Sequence, residues 1–236
     1  MNYELSKKYF ATKPSKPNRP SLGLIIVLGI IGVIFLFAVT ILGIILVVVD
    51  AVIAFFKFKN YKKALEKYEK ELKSIPTDEE YDREVEKNLA NIRERALKAL
   101  GVDEDEVSEI PPISFGGYVF KGANDIKKGE DNLYRSDKYE LVMLLFSAHE
   151  VHCYTYNFNT KIDKKTDKTD VYFYKDIVSV STASDTIKVG DYSIDYEYFK
   201  LTTAGGTALS VSLHDMGSAQ QSISAMRALL KEKKQA

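Results

Sequence analysis

The stretch ELVMLLFSAHEVHCYTYNF, residues 140–158, holds two runs rich in apolar, β-branched and aromatic side chains. Residues 148–150 separate the two runs. Such residues favour strands, and a short interruption between two strand-like runs is typical of a hairpin. We therefore predict strands over residues 140–147 and 151–158 that pair with each other.

Similar runs continue on both sides of this pair, beyond Pro111 and Pro112. Further strand candidates are residues 118–121, 170–181, 187–189, 194–202 and 207–213. The segments between them carry turn-forming residues, at 129–132, 163–167, 190–191 and 205–206. The pattern predicts an antiparallel β region built from consecutive hairpins.

One amphipathic helix is predicted to follow the last strand. Ser218 and Gln221 have the spacing of a capping box. The apolar face of the helix consists of Ala219, Ile223, Met226, Leu229 and Leu230. We expect this helix to close a β domain that covers residues 111–236.

About seven strands followed by one helix resemble the pleckstrin-homology-like (PH-like) roll. The phrases that carry the resemblance are YFYKDIVSV at 172–180, LTTAGG at 201–206 and MRALL at 226–230. The chain is also similar to bacterial membrane proteins in which a helical stalk precedes such a domain. The resemblance implies a partly open barrel, closed by the helix, that recognises lipids, peptides or partner domains.

In many PH-like rolls, the loop between the first two strands carries basic residues that bind phosphates. The matching loop here is 121–138, and its candidate headgroup-binding residues are Lys121, Lys127, Lys128, Arg135 and Lys138. Four acidic residues in the same loop nearly cancel their charge: Asp125, Glu130, Asp131 and Asp137. A protein partner is therefore the leading prediction, and an anionic lipid headgroup is the alternative.

Residues 22–49 contain no charged side chain, and Thr40 is their only polar one. As one helix they would be about 42 Å long, more than the roughly 30 Å of bilayer hydrocarbon. We predict a membrane segment over 22–56 with one transmembrane helix at about 22–49. A hairpin turning near Thr40 is the alternative, but it would place Asp50 deep in its second helix, at a cost in free energy.

Residues 57–110 are predicted to form a two-helix amphipathic stalk. The first helix carries a heptad seam made of Phe58, Tyr61, Leu65, Tyr68, Leu72 and Ile75. Pro76 ends it, and Thr77 with Glu80 forms a capping box that starts the second helix. The two helices are expected to pack together, with a coiled-coil homodimer as the alternative. Residues 1–21, basic and proline-containing, are expected to be a disordered tail.

The composition limits the compartment and the partners. The chain has 33 basic and 33 acidic residues and lacks the clustered basic excess of nucleic-acid-binding proteins. One cysteine, Cys153, excludes an internal disulfide. The sequence thus predicts an α+β integral membrane protein of the plasma membrane, with its C-terminal domain in the cytoplasm and with no nucleic-acid partner.

No catalytic, cofactor or metal site is predicted. His149 and His152 are three residues apart at the start of a strand, whereas zincins need a spacing of four on a helix. His214 and Asp215 lack a nucleophile-elbow serine nearby. The sequence therefore indicates a non-enzymatic, membrane-anchored binding or scaffold protein. A metal-dependent or hydrolytic enzyme is the remaining alternative.

Overall fold

The computed structural model describes residues 1–38, 40–190, 192–213 and 216–235. The chain has α+β architecture with antiparallel sheets, as predicted. Its helices are α1 (Tyr3–Phe10), α2 (Gly23–Ala38), α3 (Thr40–Lys73), α4 (Asp78–Leu89), α5 (Ile92–Leu100) and α6 (Met216–Lys233). Its strands are β1 (Ile113–Tyr118), β2 (Ile126–Lys128), β3 (Tyr134–Ser136), β4 (Lys138–Phe146), β5 (Glu150–Asn159), β6 (Lys165–Phe173), β7 (Ile177–Val189), β8 (Tyr192–Thr203) and β9 (Gly206–Leu213).

The chain divides into two compact units. The first consists of Met1–Phe10 together with Pro76–Ala236, and the second is Ala11–Ile75. The second unit is thus an insertion between α1 and α4. The predicted stalk is divided between the two units. Its first helix is the C-terminal part of α3 and belongs to the second unit, whereas α4 and α5 belong to the first unit.

The predicted transmembrane helix is wrong. Among the described residues, no helix combines the length and the apolar character needed to cross a membrane. The apolar stretch is divided between two helices, and α2, with 16 residues, is about 24 Å long. The apolar part of α3 contains Asp50 and gives way to lysines from Lys57 onward. The predictions of an integral membrane protein and of a plasma-membrane location depended on this helix, so they are wrong as well.

Small residues let α2 and α3 approach each other closely. A Cβ added at Gly43 would lie 2.5 Å from the Leu36 backbone nitrogen, and one at Gly32 would lie 3.1 Å from Cγ2 of Val47. Such distances leave no room for a larger side chain at Gly43. Between the helices, the Oδ1 atom of Asp50 is buried and has no hydrogen-bond partner among the described residues.

The first unit is built on two sheets. The larger has the strand order β1-β4-β5-β6, the smaller β7-β8-β9, and β2 and β3 form a separate hairpin. Apolar side chains of both sheets and of α6 share one core, in which Phe115 and Phe199 stack at 4.3 Å. Gly117 allows β1 to approach β9, because a Cβ there would lie 2.8 Å from the Ser212 carbonyl oxygen. The two sheets and α6 therefore enclose one apolar layer.

The opposite face of the larger sheet is covered by α1, α4 and α5. Their side chains join a second core that includes Tyr9, Tyr81 and Ala96, together with Tyr154 and Tyr156 of β5. Strand β4 is therefore buried on both faces, which explains its nearly continuous apolar sequence.

Local signals explain the ends of α4 and α5. The predicted capping box is present: Thr77 Oγ1 accepts from the Glu80 backbone N–H, and a Glu80 carboxylate oxygen accepts from the Thr77 N–H. Gly101 adopts the left-handed conformation that ends α5, with φ of 68°. Residues 1–21, expected to be disordered, include helix α1, whose Tyr9 side chain is fully buried.

Candidate binding site

Three of the five candidate headgroup-binding residues already donate to protein oxygens. Lys127 Nζ lies 3.0 Å from the Tyr9 carbonyl oxygen and 3.7 Å from the centre of the Tyr9 ring. Lys138 Nζ donates to the carbonyl oxygen of Gly122. Arg135, the third, is buried, whereas Lys121 and Lys128 are exposed.

Arg135 binds two carboxylates. Its Nε and Nη2 atoms donate to Asp82 at 2.8 and 2.7 Å, and Nη1 and Nη2 donate to Asp131 at 3.0 and 2.7 Å. The hydrogen bonds from Arg135 lower the pKa of Asp131 to about 2. Burial alone would lower the pKa of Arg135, but its bonds to Asp82 and Asp131 outweigh this effect and raise that pKa. Arg135 thus joins β3 to α4 and to the β2–β3 turn, with its donors occupied.

The His149 to Cys153 segment forms no convergent site. His149 is exposed in the turn before β5, whereas His152 is buried with Nε2 3.3 Å from Oε1 of Glu150. Cys153 belongs to the core on the other side of the sheet, and burial raises the pKa of its thiol to about 12. In the described part of the chain, no group of three or more His, Cys, Asp or Glu residues could hold a metal ion. His214 and Asp215 lie outside the described residues.

A cleft of about 630 Å³ lies between the β2–β3 hairpin and the first residues of β8. We call it the β8 cleft. Its buried lining includes Tyr118, Phe120 and Ile194, which form an aromatic and apolar floor. The hairpin contributes Lys128, Asn132, Leu133 and Tyr134, β8 contributes Ser193, Asp195, Tyr196 and Glu197, and Ser184, Ser212 and Leu213 complete the lining. Of the five candidate headgroup-binding residues, only Lys128 lines the cleft.

The cleft lies where the smaller sheet changes from three strands to two. Strand β9 pairs with β8 between Thr203 and Glu197, its register ending at Glu197 opposite Leu213. Strand β7 continues alongside β8 as far as Tyr192. Over residues 192–196, β8 therefore has a neighbour on one side only among the described strands.

The walls of the cleft are held by ring contacts and carry mixed charge. Tyr134 of the hairpin meets Tyr192 of β8 edge to face, with ring centres 5.7 Å apart. Asp195 accepts a hydrogen bond of 2.6 Å from Thr186. Across the described residues, neither Glu197 nor Lys128 forms a salt bridge. The lining therefore offers two carboxylates and one ammonium group at an apolar floor.

The sequence did not single out this cleft. Tyr196 falls within the strand predicted over 194–202, and Ser193 directly precedes it. The lining comes from segments far apart in the sequence, and no local motif marks it. One signal was present in the sequence. The strand candidate at 207–213 is shorter than the one at 194–202, so it could not pair with all of it.

Comparisons with protein-family models, with curated proteins and with solved structures gave no match to this chain.

Proposed function

We propose that this chain is a non-enzymatic binding protein whose β domain holds a polypeptide partner in the β8 cleft. The observation that carries the proposal is the amphipathic lining. Tyr118, Tyr134 and Tyr196 line the cleft, and tyrosine is enriched at surfaces that recognise proteins, since it supplies large contact area at a low entropy cost.

The charges of the lining distinguish this ligand from an anionic headgroup. Phosphate recognition requires several converging donors, commonly arginine or lysine. The cleft has Lys128 alone, opposite Asp195 and Glu197. Arg135, the strongest phosphate donor in the predicted loop, is bound by Asp82 and Asp131. A polypeptide with basic and apolar side chains therefore suits the cleft better than a phosphate group.

The resemblance to PH-like rolls supports the same class of function. Four strands, then three strands, then one helix enclose a shared core. The resemblance implies about seven strands followed by one helix, and such rolls generally bind rather than catalyse. Fold alone does not choose the ligand, so the proposal depends on the cleft.

The test is a selection of peptides from a random display library on the full chain, followed by affinity measurements on variants. Ser193 lines the cleft with an exposed side chain, so Ser193→Trp fills the cleft with a residue that strands tolerate well. Ser210→Trp is the matched control, because Ser210 is an exposed serine of β9 outside the cleft lining.

We expect selected peptides to bind at least tenfold more weakly to Ser193→Trp and equally well to Ser210→Trp. The proposal fails if no peptide is enriched. It also fails if every enriched peptide binds the two variants alike.

A further inference from the structure

We infer that the β8 cleft takes its polypeptide partner as an added β-strand, paired with residues 192–196 of β8. The inference rests on the proposed function and specifies how the partner is bound. The partner is an extended segment with an apolar or aromatic side chain over the cleft floor and a basic side chain beside Asp195 and Glu197.

The first step is the open backbone of β8. Each strand offers N–H and C=O groups to both sides, alternately along the chain. Residues 192–196 pair with β7 on one side. On the other side, the register with β9 ends at Glu197 among the described residues. No backbone hydrogen bond outside the β7 pairing is found for residues 192–196 among the described residues. Such a row of unpaired groups is a template for strand addition.

The second step is that this edge is less protected than the edge of the larger sheet. Strand β6 ends that sheet and carries charges along its length, at Lys165, Asp167, Lys168 and Asp170. Charged side chains are a common protection against strand addition. The β8 edge carries one charge between Tyr192 and Tyr196, that of Asp195.

The third step is the enclosure of the edge. Strand β7 also ends its sheet, but Ser184 is its only described residue in the cleft lining. The edge of β8 instead has a wall opposite it, formed by Leu133 and Tyr134 of the hairpin. An added segment would gain backbone hydrogen bonds from β8 and apolar contacts from this wall. Five residues of strand span about 16 Å.

The fourth step is charge. Asp195 and Glu197 exceed Lys128 by one negative charge. Glu197 has no ion-pair partner among the described residues, so it is free to accept one from a ligand. A lysine or arginine of the partner completes this pair.

The experiment uses the peptide selected on the full chain whose binding is weakened by Ser193→Trp. A series of its derivatives is made, each with a single backbone N-methyl group. N-methylation removes one N–H donor and leaves every side chain in place. In an antiparallel or parallel pair, donors that face β8 alternate with donors that face away.

Strand addition predicts a loss of at least tenfold in affinity at alternate positions and a change below threefold at the positions between them. On binding of the unmodified peptide, it also predicts slower amide hydrogen exchange in residues 192–196 and unchanged exchange in the β6 edge, which serves as the control. Equal affinities across the series, or losses without alternation, overturn strand addition while leaving the cleft as the binding site. Absence of any Ser193→Trp-sensitive peptide overturns the proposed function itself.

Discussion

Arg135 joins segments that lie far apart in the sequence. Its side chain is 3% exposed, and the guanidinium is shared between Asp82 of α4 and Asp131 of the β2–β3 turn. Asp82 also accepts a hydrogen bond of 2.6 Å from the Tyr118 hydroxyl. Removing one member of a buried ion network is costly because the remaining charges lose their partners.

We therefore expect Arg135→Met to lower the free energy of unfolding by about 2 to 3 kcal/mol. The value lies below that of a fully buried pair because Asp82 and Asp131 keep some contact with water. Urea unfolding followed by circular dichroism measures it. Lys128→Met, at an exposed position, is the control and should stay within about 0.5 kcal/mol of the parent. If Arg135→Met lowers the free energy of unfolding no more than Lys128→Met does, then Arg135 does not stabilise the fold through its ion pairs.

Asp131 predicts a pH dependence of stability. Its pKa is about 2 in the folded chain, below the ordinary value of 3.8. A carboxylate with a lowered folded pKa stabilises the fold above its unfolded pKa and loses that contribution as pH falls toward the folded value. Asp131→Asn should therefore reduce stability near pH 6 by about 1 kcal/mol, allowing for solvent screening of a side chain that is 40% exposed.

The same difference should mostly disappear between about pH 4 and pH 2, within the window between the two pKa values. Unfolding curves of both chains, recorded at several pH values, provide the measurement. Glu94→Gln serves as the comparison, because Glu94 is an exposed carboxylate of α5 that forms no salt bridge among the described residues. A difference between parent and Asp131→Asn that is constant from pH 6 to pH 2 contradicts the assignment.

At the scale of elements, α1 depends on its contacts with the rest of the first unit. Eight residues are too few for a stable isolated helix. The Tyr9 ring stacks on Tyr81 with centres 4.3 Å apart, and its hydroxyl donates to Asp78 at 2.7 Å. The Lys127 ammonium group lies over the Tyr9 ring and donates a hydrogen bond to the Tyr9 carbonyl oxygen.

Tyr9→Ala should therefore release α1. We expect a loss of about 3 kcal/mol in unfolding free energy, typical of truncating a buried aromatic side chain, and fast amide exchange over residues 4–10. Tyr3→Ala removes a hydroxyl whose hydrogen bond to Asp163 is exposed, so it should cost less than about 1 kcal/mol. Slow exchange in α1 of Tyr9→Ala would rule out this dependence.

The helix pair of the second unit makes its own prediction. Ala normally stabilises a helix over Gly by about 1 kcal/mol. Gly23→Ala, at the first residue of α2, should be neutral or gain less than that, because an added Cβ meets nothing nearer than 3.7 Å. Gly43→Ala should instead destabilise the pair by about 1 to 3 kcal/mol, since the new Cβ would overlap the Leu36 backbone. Thermal unfolding followed by helix content compares the two, and equal effects would contradict the close packing.

Several elements could be predicted from the sequence because their patterns are local. β5 was predicted at 151–158 and is found at Glu150–Asn159, since its alternation and aromatic content are unambiguous. The first strand was predicted at 118–121, but β1 is found at Ile113–Tyr118. Gly116 and Gly117 interrupt the strand-like pattern of this segment. Those glycines are required by contacts with neighbouring strands, which the local sequence does not reveal.

Other elements depend on partners that no local pattern can reveal. Residues 170–181 were predicted as one strand, but a short 3-10 helix at Tyr174–Asp176 separates β6 from β7. Strand-like residues continue on both sides of it without Gly or Pro. The first half of β6 is polar because it is exposed, so it resembled a loop. The β8 cleft likewise needs the hairpin and β8 together, and only the fold brings them side by side.

At the scale of the whole molecule, the second unit is an insertion between two parts of the first unit that contact each other. Residues on either side of it are joined by the Tyr9 to Asp78 hydrogen bond and by the Asn2 N–H, which donates to Glu84 at 3.0 Å. The parts of the first unit that flank the insertion therefore lie within side-chain reach of each other. The core of the first unit draws on residues before and after the insertion.

Replacing residues 11–75 by a Gly-Ser linker of ten residues should therefore leave the first unit folded, since such a linker spans about 17 Å on average. Circular dichroism should report the β-rich spectrum, and unfolding should be cooperative. A second chain that begins at Pro76 lacks α1 as well and should be less stable by about 3 kcal/mol, the value expected for Tyr9→Ala. If the linked chain fails to fold, or is no more stable than the chain without α1, then the first unit is not the independent body that its contacts indicate.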